Sequence, residues 1–176
     1  MSAAGLAVVR DWRHSSNAVA ALCCFALVGF ALYSQQFMGL VPCPLCIFQR
    51  VALAGLGLAF LLAALPLDAQ WRLQRCAAVL VGVAALIAIG IASRHLYIQH
   101  LPAGAVAACG ASLDYMLEVF PLADVLRKVL TGSGECAKVD WTFLGLAMPA
   151  WVLIWAAGLG AGGVWLNWAR RPATAA

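Results

Sequence analysis

Four separate apolar runs, each long enough to cross a bilayer, constrain this chain more than any other feature. A hydrocarbon core of about 30 Å takes roughly 20 helical residues. Runs of that order lie near Ala18–Gln35, Leu45–Leu65, Arg75–Ile91 and Leu144–Trp165. Lipid offers no hydrogen bonds to a bare backbone, so all four must be helices. Composition agrees: 65% of residues are apolar, 10% are charged and the mean hydropathy is +0.93. Soluble domains sit near half apolar and about a quarter charged. The first run exceeds the usual apolar core of a signal peptide, and no small-x-small cleavage site follows it, so it reads as an uncleaved helix. The expectation is an all-α integral membrane protein. It forms a four-transmembrane-helix bundle as one membrane domain over residues 1–176, with loops at about 36–44 and 92–143 on one side.

Charge sets the orientation. Arg10, Arg13, Arg72, Arg75, Arg170 and Arg171 flank one face of the bundle, opposed only by Asp11 and Asp68. The segment between spans 3 and 4 carries Arg94, Arg127, Lys128 and Lys138 against Asp114, Glu118, Asp124, Glu135 and Asp140. The loop between spans 1 and 2 has no charge. By the positive-inside rule both termini and the 2–3 turn are cytoplasmic, and the other two loops face outward. The net charge of +4 is small and dispersed, which excludes a nucleic-acid surface.

The outward 3–4 segment is the one large piece outside the spans. Leu113, Met116, Leu117 and Phe120 recur at helical spacing, as do Leu122, Val125, Leu126 and Val129 after Pro121. Two short amphipathic helices broken at the proline are expected, lying on the bilayer surface or packed on the bundle top. Gly55, Gly57, Gly158, Gly160, Gly162 and Gly163 lack the strand-then-helix context of a nucleotide fingerprint and read as close helix packing.

Topology sorts the seven cysteines. Cys23, Cys24 and Cys76 fall within spans or near the cytoplasm and read as small packing residues. Cys43, Cys46, Cys109 and Cys136 face outward. Cys43-Pro44-Leu45-Cys46 has the spacing of thiol–disulfide exchange pairs, although zinc sites share it. Cys46 lies in the first turn of span 2, where free N–H groups favour an anion, and Arg50 follows one turn later on the same face. Both features predict a Cys46 thiolate. An arginine just inside a membrane helix is itself a functional candidate. Cys109 and Cys136, in flexible sequence of an oxidising compartment, most simply pair with each other. That bond is either a structural staple or the second of two dithiol pairs that pass a disulfide by successive exchange. New disulfides release two electrons. With no haem motif, nucleotide fingerprint or flavin fold in the chain, a lipid-soluble acceptor such as a quinone meets the need at the lipid edge.

These residues resemble the DsbB family, the quinone-linked disulfide-bond formation proteins of bacterial inner membranes. The likeness is carried by Cys43-Pro44-Leu45-Cys46 with Arg50, by Gly134-Glu135-Cys136-Ala137, and by the run Trp141-Thr142-Phe143-Leu144-Gly145-Leu146-Ala147-Met148-Pro149-Ala150-Trp151. The relay from DsbA to DsbB to quinone keeps the bacterial periplasm oxidising. The resemblance implies a protein-dithiol:quinone oxidoreductase with disulfides Cys43–Cys46 and Cys109–Cys136. A thioredoxin-like DsbA-type partner would attack at Cys109, Cys136 would pass electrons to the Cys43–Cys46 pair, and Cys46 would face ubiquinone or menaquinone beside Arg50. His100, with His95 as the competing match, and Met148 would line the quinone site. Cys23, Cys24 and Cys76 depart from the family pattern, and the sequence between the loop cysteines is individual, which leaves the particular partner open.

Two alternatives carry different chemistry. Enzymes similar to vitamin K epoxide reductase also join four helices to a membrane-edge Cys-x-x-Cys, but the second pair after span 3 favours DsbB. A four-cysteine zinc scaffold needs reduced thiols, which an oxidising compartment opposes, and a neighbouring Arg50 repels a cation.

Overall fold

The computed structural model describes residues 3–65, 71–102 and 113–168, with side chains from Trp12 onward. Helices α1 (Ala3–Phe37), α2 (Pro44–Ala63), α3 (Trp71–Gln99) and α7 (Met148–Trp168) form the bundle. Between α3 and α7 come α4 (Leu113–Val119), α5 (Leu122–Thr131), the single turn α6 (Gly134–Ala137), and a hairpin of β1 (Thr142–Phe143) and β2 (Leu146–Ala147). The membrane-crossing portions are Trp12–Phe37, Pro44–Ala63, Arg72–Gln99 and Met148–Trp168. Cys109, Asp68, Arg170 and Arg171 lie outside the described residues, as do the side chains of Arg10, Asp11 and Asp114.

Span 1 begins at Trp12 rather than Ala18 and span 3 at Arg72 rather than Arg75; two further boundaries differ for a local reason. Span 3 continues past Ile91 to Gln99, because the polar residues that seemed to end it are used. Arg94 donates through Nε to the Leu130 carbonyl at 2.8 Å and through a terminal nitrogen to that of Thr131 at 3.1 Å. Those carbonyls end α5 and have no partner within their own helix. His95 is buried. Span 4 begins at Met148 rather than Leu144, because residues 142–147 fold back on themselves. Leu144 (φ 51°) and Gly145 (φ 78°) both take left-handed conformations, as a two-residue type I′ hairpin requires. A leucine in the first of those positions gives no sequence signal for such a turn.

The buried side chains fall into two clusters. The inner one packs small residues tightly: Ala21, Cys24, Ala59 and Ala63 against Leu56, Phe60, Val81 and Ala85. Gly57 approaches Cys24 and Phe25, Gly160 approaches Ala85, and Gly163 accommodates the Phe60 ring and Val81. Gly55, Gly158 and Gly162 face open space, so close packing does not explain them. This end is closed by Asn17 and Asn167, buried amides that donate to each other's oxygens at 3.1 and 3.0 Å and to the Ala63 and Gly163 carbonyls. The polar edges on α1 and α7 are thereby satisfied inside the bundle. Among the inner cysteines, Cys24 is a packing residue and Cys23 is half-buried, but Cys76 is exposed on the outside of α3, contrary to its expected role.

The outer cluster brings Cys43 just before α2, Leu45 of α2, Ile98 of α3, Met116 of α4, Val125 and Val129 of α5, and Cys136 of α6 into one core. The inner stripes of α4 and α5 therefore pack on the bundle top. Their outward leucines, among them Leu117, Leu122 and Leu126, stay exposed.

Candidate functional site

The site begins with how α2 starts. Pro44 occupies its first turn, where the missing N–H costs nothing and φ is preset for a helix. Cys43 takes the cap position, and its sulfur accepts from the Cys46 N–H at 3.3 Å. The Leu45 N–H turns to the sulfur of Cys136. The Cys46 and Leu45 N–H groups of this helix start thus serve Cys43 and Cys136, and the backbone of Cys43 serves the Cys46 sulfur that the sequence places at this helix start.

Cys136 reaches this point through a tight turn. Gly132 has φ 87°, and a Cβ there would run into the Ile98 side chain, so no other residue fits without displacing α3 or the loop. One turn further on, Cys136 is buried, with its N–H on the Ser133 carbonyl.

Three thiols are consequently contiguous. Cys43 donates to Cys46 Sγ at 3.0 Å, and its thiol also shares a hydrogen bond with Cys136. The bond with Cys136, then that with Cys46, pushes the Cys43 thiol far up. The same contact with Cys43 pulls Cys136 down to about 6, against the opposing cost of burial. In this all-thiol state the shared proton rests on Cys43 and the negative charge on Cys136.

His95 stands behind them. Its Nε2 lies 3.7 Å from Cys43 Sγ and 3.1 Å from the Cys136 carbonyl, and its Nδ1 lies 3.2 Å from Gln49 Nε2. With the Gln49 amide donating to Nδ1, Nε2 carries the proton and donates to Cys136. His100, the histidine favoured from sequence, is exposed one turn beyond and bonds to the Leu96 carbonyl of its own helix. Among the described residues it does not reach the cysteines or the cavity described next, whereas the competing His95 does reach Cys43. The signal lay in position: His95 shares a face of α3 with the buried Ala92 and Ile98, a face that could be read only once α3 was known to continue.

Below the thiols, between α1, α2, the hairpin and α7, lies a cavity of about 480 Å³ at the level of the lipid. Cys46, Gln49, Arg50 and Met148 line it, so Met148 and Arg50 do meet at one place with Cys46. Its wall is aromatic. Trp141 stacks nearly parallel to Phe143 at 6.0 Å, Phe30 and Trp151 tilt against them, and Trp151 Nε1 donates to the Phe143 carbonyl, fixing the hairpin to α7. Arg50 donates to Gln35 Oε1 on α1. This contact ties α2 to α1 beside the cavity. A smaller cleft of about 60 Å³ on the outer side is bordered by Cys43, Cys46, Arg50 and His95. Cys46 and Arg50 border both spaces. The sequence reading missed Gln49, Gln35 and the hairpin aromatics; a buried glutamine within an apolar span was the available clue.

A line of three exchangeable thiols running from an outer loop to a lipid-level cavity defines a membrane thiol–disulfide oxidoreductase. The comparisons with known proteins give the same class a family. Residues 13–166 match the model of disulfide bond formation protein DsbB. Proteins called disulfide bond formation protein B are similar over most of their length. That of Methylococcus capsulatus is 51% identical over 141 residues, covering 80% of this chain and 85% of its own. That of Hahella chejuensis is 48% identical over 149 residues, 83% and 87% respectively. That of Acinetobacter baumannii is 48% identical over 126 residues, 72% and 74%. This chain belongs to the DsbB family: it is an inner-membrane oxidoreductase of disulfide bond formation that links protein dithiols to quinone.

Proposed function

We propose that this chain reoxidises a periplasmic, thioredoxin-like DsbA-type protein through Cys109–Cys136 and Cys43–Cys46, and delivers the electrons to ubiquinone or menaquinone in the aromatic cavity. A thiolate of the reduced partner attacks the Cys109–Cys136 disulfide at Cys109 and releases Cys136 as a thiolate. The partner's second thiol then displaces Cys109, so the partner leaves oxidised and both loop cysteines are reduced. Cys136 attacks Cys43 of the Cys43–Cys46 disulfide, the sulfur it already touches, and frees Cys46 as a thiolate. Cys109 then attacks Cys136, restoring the loop disulfide and releasing Cys43.

The cavity fits a quinone. Its volume is in the range of small-molecule sites, its walls are flat aromatic rings, and Cys46 and Arg50 supply its polar edge. When bound, the quinone supplies a two-electron, two-proton sink. Cys46 is the thiol that delivers the pair of electrons as its bond to Cys43 re-forms, and Arg50 balances negative charge at that edge. His95 holds the Cys136 carbonyl and the Cys43 sulfur in register through one ring nitrogen.

The observation that carries this reading is Cys46 on the border of both spaces, in contact with Cys43 on one side and the lipid-level cavity on the other. The test mixes purified protein with a reduced periplasmic dithiol protein and a quinone and follows quinone absorbance. Turnover that depends on all four outer cysteines supports the reading; turnover that survives loss of Cys46 refutes it.

A further inference from the structure

Beyond the exchange of electrons, the same cluster presents a ligand set for a metal. Cys43 Sγ, Cys46 Sγ and one ring nitrogen of His95 all lie within 4.8 Å of one another. A tetrahedral zinc-type ion holds sulfur at about 2.3 Å and imidazole nitrogen at about 2.0 Å. Those bonds place two sulfurs about 3.8 Å apart and a sulfur and a nitrogen about 3.5 Å apart. The Cys43–His95 separation of 3.7 Å is already suitable, and the 3.0 Å between the sulfurs needs only a small opening about side-chain torsions.

The surroundings complete the coordination. Metal-bound histidines are normally held by a second group on their other nitrogen. Gln49 sits 3.2 Å from His95 Nδ1, and turning its amide makes Oε1 the acceptor for Nδ1–H. Nε2 then loses its proton and leaves the Cys136 carbonyl to face an ion. The fourth position faces the small outer cleft that Cys43, Cys46 and His95 border, from which water can complete the tetrahedron. Two thiolates neutralise a divalent ion, so the filled site buries no net charge from these ligands.

We propose that the reduced form of this site binds one thiophilic divalent ion of the zinc class on Cys43, Cys46 and His95, with water from the outer cleft completing the tetrahedron, and that the ion halts the oxidase. Binding displaces the thiol protons and breaks no covalent bond. It is confined to the reduced state, because a Cys43–Cys46 disulfide offers no thiolate. While bound, Cys46 cannot give its electrons and Cys43 cannot exchange. The inhibition rests on the quinone-reducing reading above; the binding does not.

The probe is Co²⁺, titrated anaerobically into the full-length reduced chain in detergent, with Cys23, Cys24 and Cys76 replaced by alanine. The expected result is one equivalent, with the visible bands of tetrahedral cobalt and a sulfur-to-cobalt charge-transfer band, both removed by Zn²⁺. Cys46→Ser should reduce the charge-transfer intensity. His95→Ala, or His95→Gln if the alanine variant does not fold, should weaken binding at least tenfold. The oxidised chain should take up none. In a separate arm Zn²⁺ should stop quinone reduction over the same concentrations that displace cobalt, and a chelator should restore it. Octahedral or absent cobalt bands, equal uptake by the oxidised chain, or unchanged affinity in the His95 variant would overturn the proposal. Failure of metal-free turnover would instead overturn the quinone reading, and the cobalt titration would still decide the site.

Discussion

The two ends of the bundle are built on different principles. The inner end closes with alanines, glycines, one phenylalanine and a reciprocal pair of asparagine amides, so that backbones approach closely and the two amides satisfy each other within the bundle. The outer end buries larger side chains loosely around three sulfurs, a histidine and a glutamine, and leaves a cavity of about 480 Å³ beneath them. Helix association in lipid draws little from the hydrophobic effect and depends on close packing and interhelical hydrogen bonds. The inner end supplies both. That leaves the outer end free to hold polar, exchangeable groups and an opening, which cost stability where they occur.

The strongest way to break this contrast is Cys46→Ser. Quinone reduction should fall to the uncatalysed background while partner exchange at the loop cysteines persists, as read by quinone absorbance beside trapping of the mixed disulfide. Gly132→Ala comes next. Forcing a side chain into a left-handed turn against Ile98 should cost about 1–3 kcal/mol, and the loss should appear as faster alkylation of Cys136 and slower exchange, with the inner end unaffected. Arg50→Ala should raise the quinone concentration needed for half-maximal turnover about tenfold, equivalent to about 1.4 kcal/mol, with the partner dependence unchanged. An unaltered quinone dependence would remove Arg50 from the acceptor site. The smallest effect is expected at the other end. Asn167→Ala should lower stability by about 0.6–2 kcal/mol, seen as a reduced midpoint of thermal unfolding in detergent, while turnover stays at the wild-type level. A comparable loss of activity there would show that the two ends are coupled and that the division drawn here is wrong.

Much of this molecule was legible from residues alone, because bilayer thickness and backbone hydrogen bonding leave so few solutions. Four spans, the proline-broken helices after span 3, and the Cys43–Cys46 pair with Arg50 follow from run length, helical period and spacing. Each is a local property, or one imposed by a uniform solvent. What the tertiary structure decided are the choices made by neighbours. It continued α3 to Gln99, since Arg94 finds the carbonyls of α5, and so placed His95 rather than His100 beside the sulfurs. It folded residues 142–147 into a hairpin whose turn leucine carries no signature. It put Cys76 on the outside of the bundle and Cys24 within it. It also directed the helix-start donors to Cys43 and Cys136. A side chain's partner depends on residues distant in the chain, and period and composition carry no record of those distances.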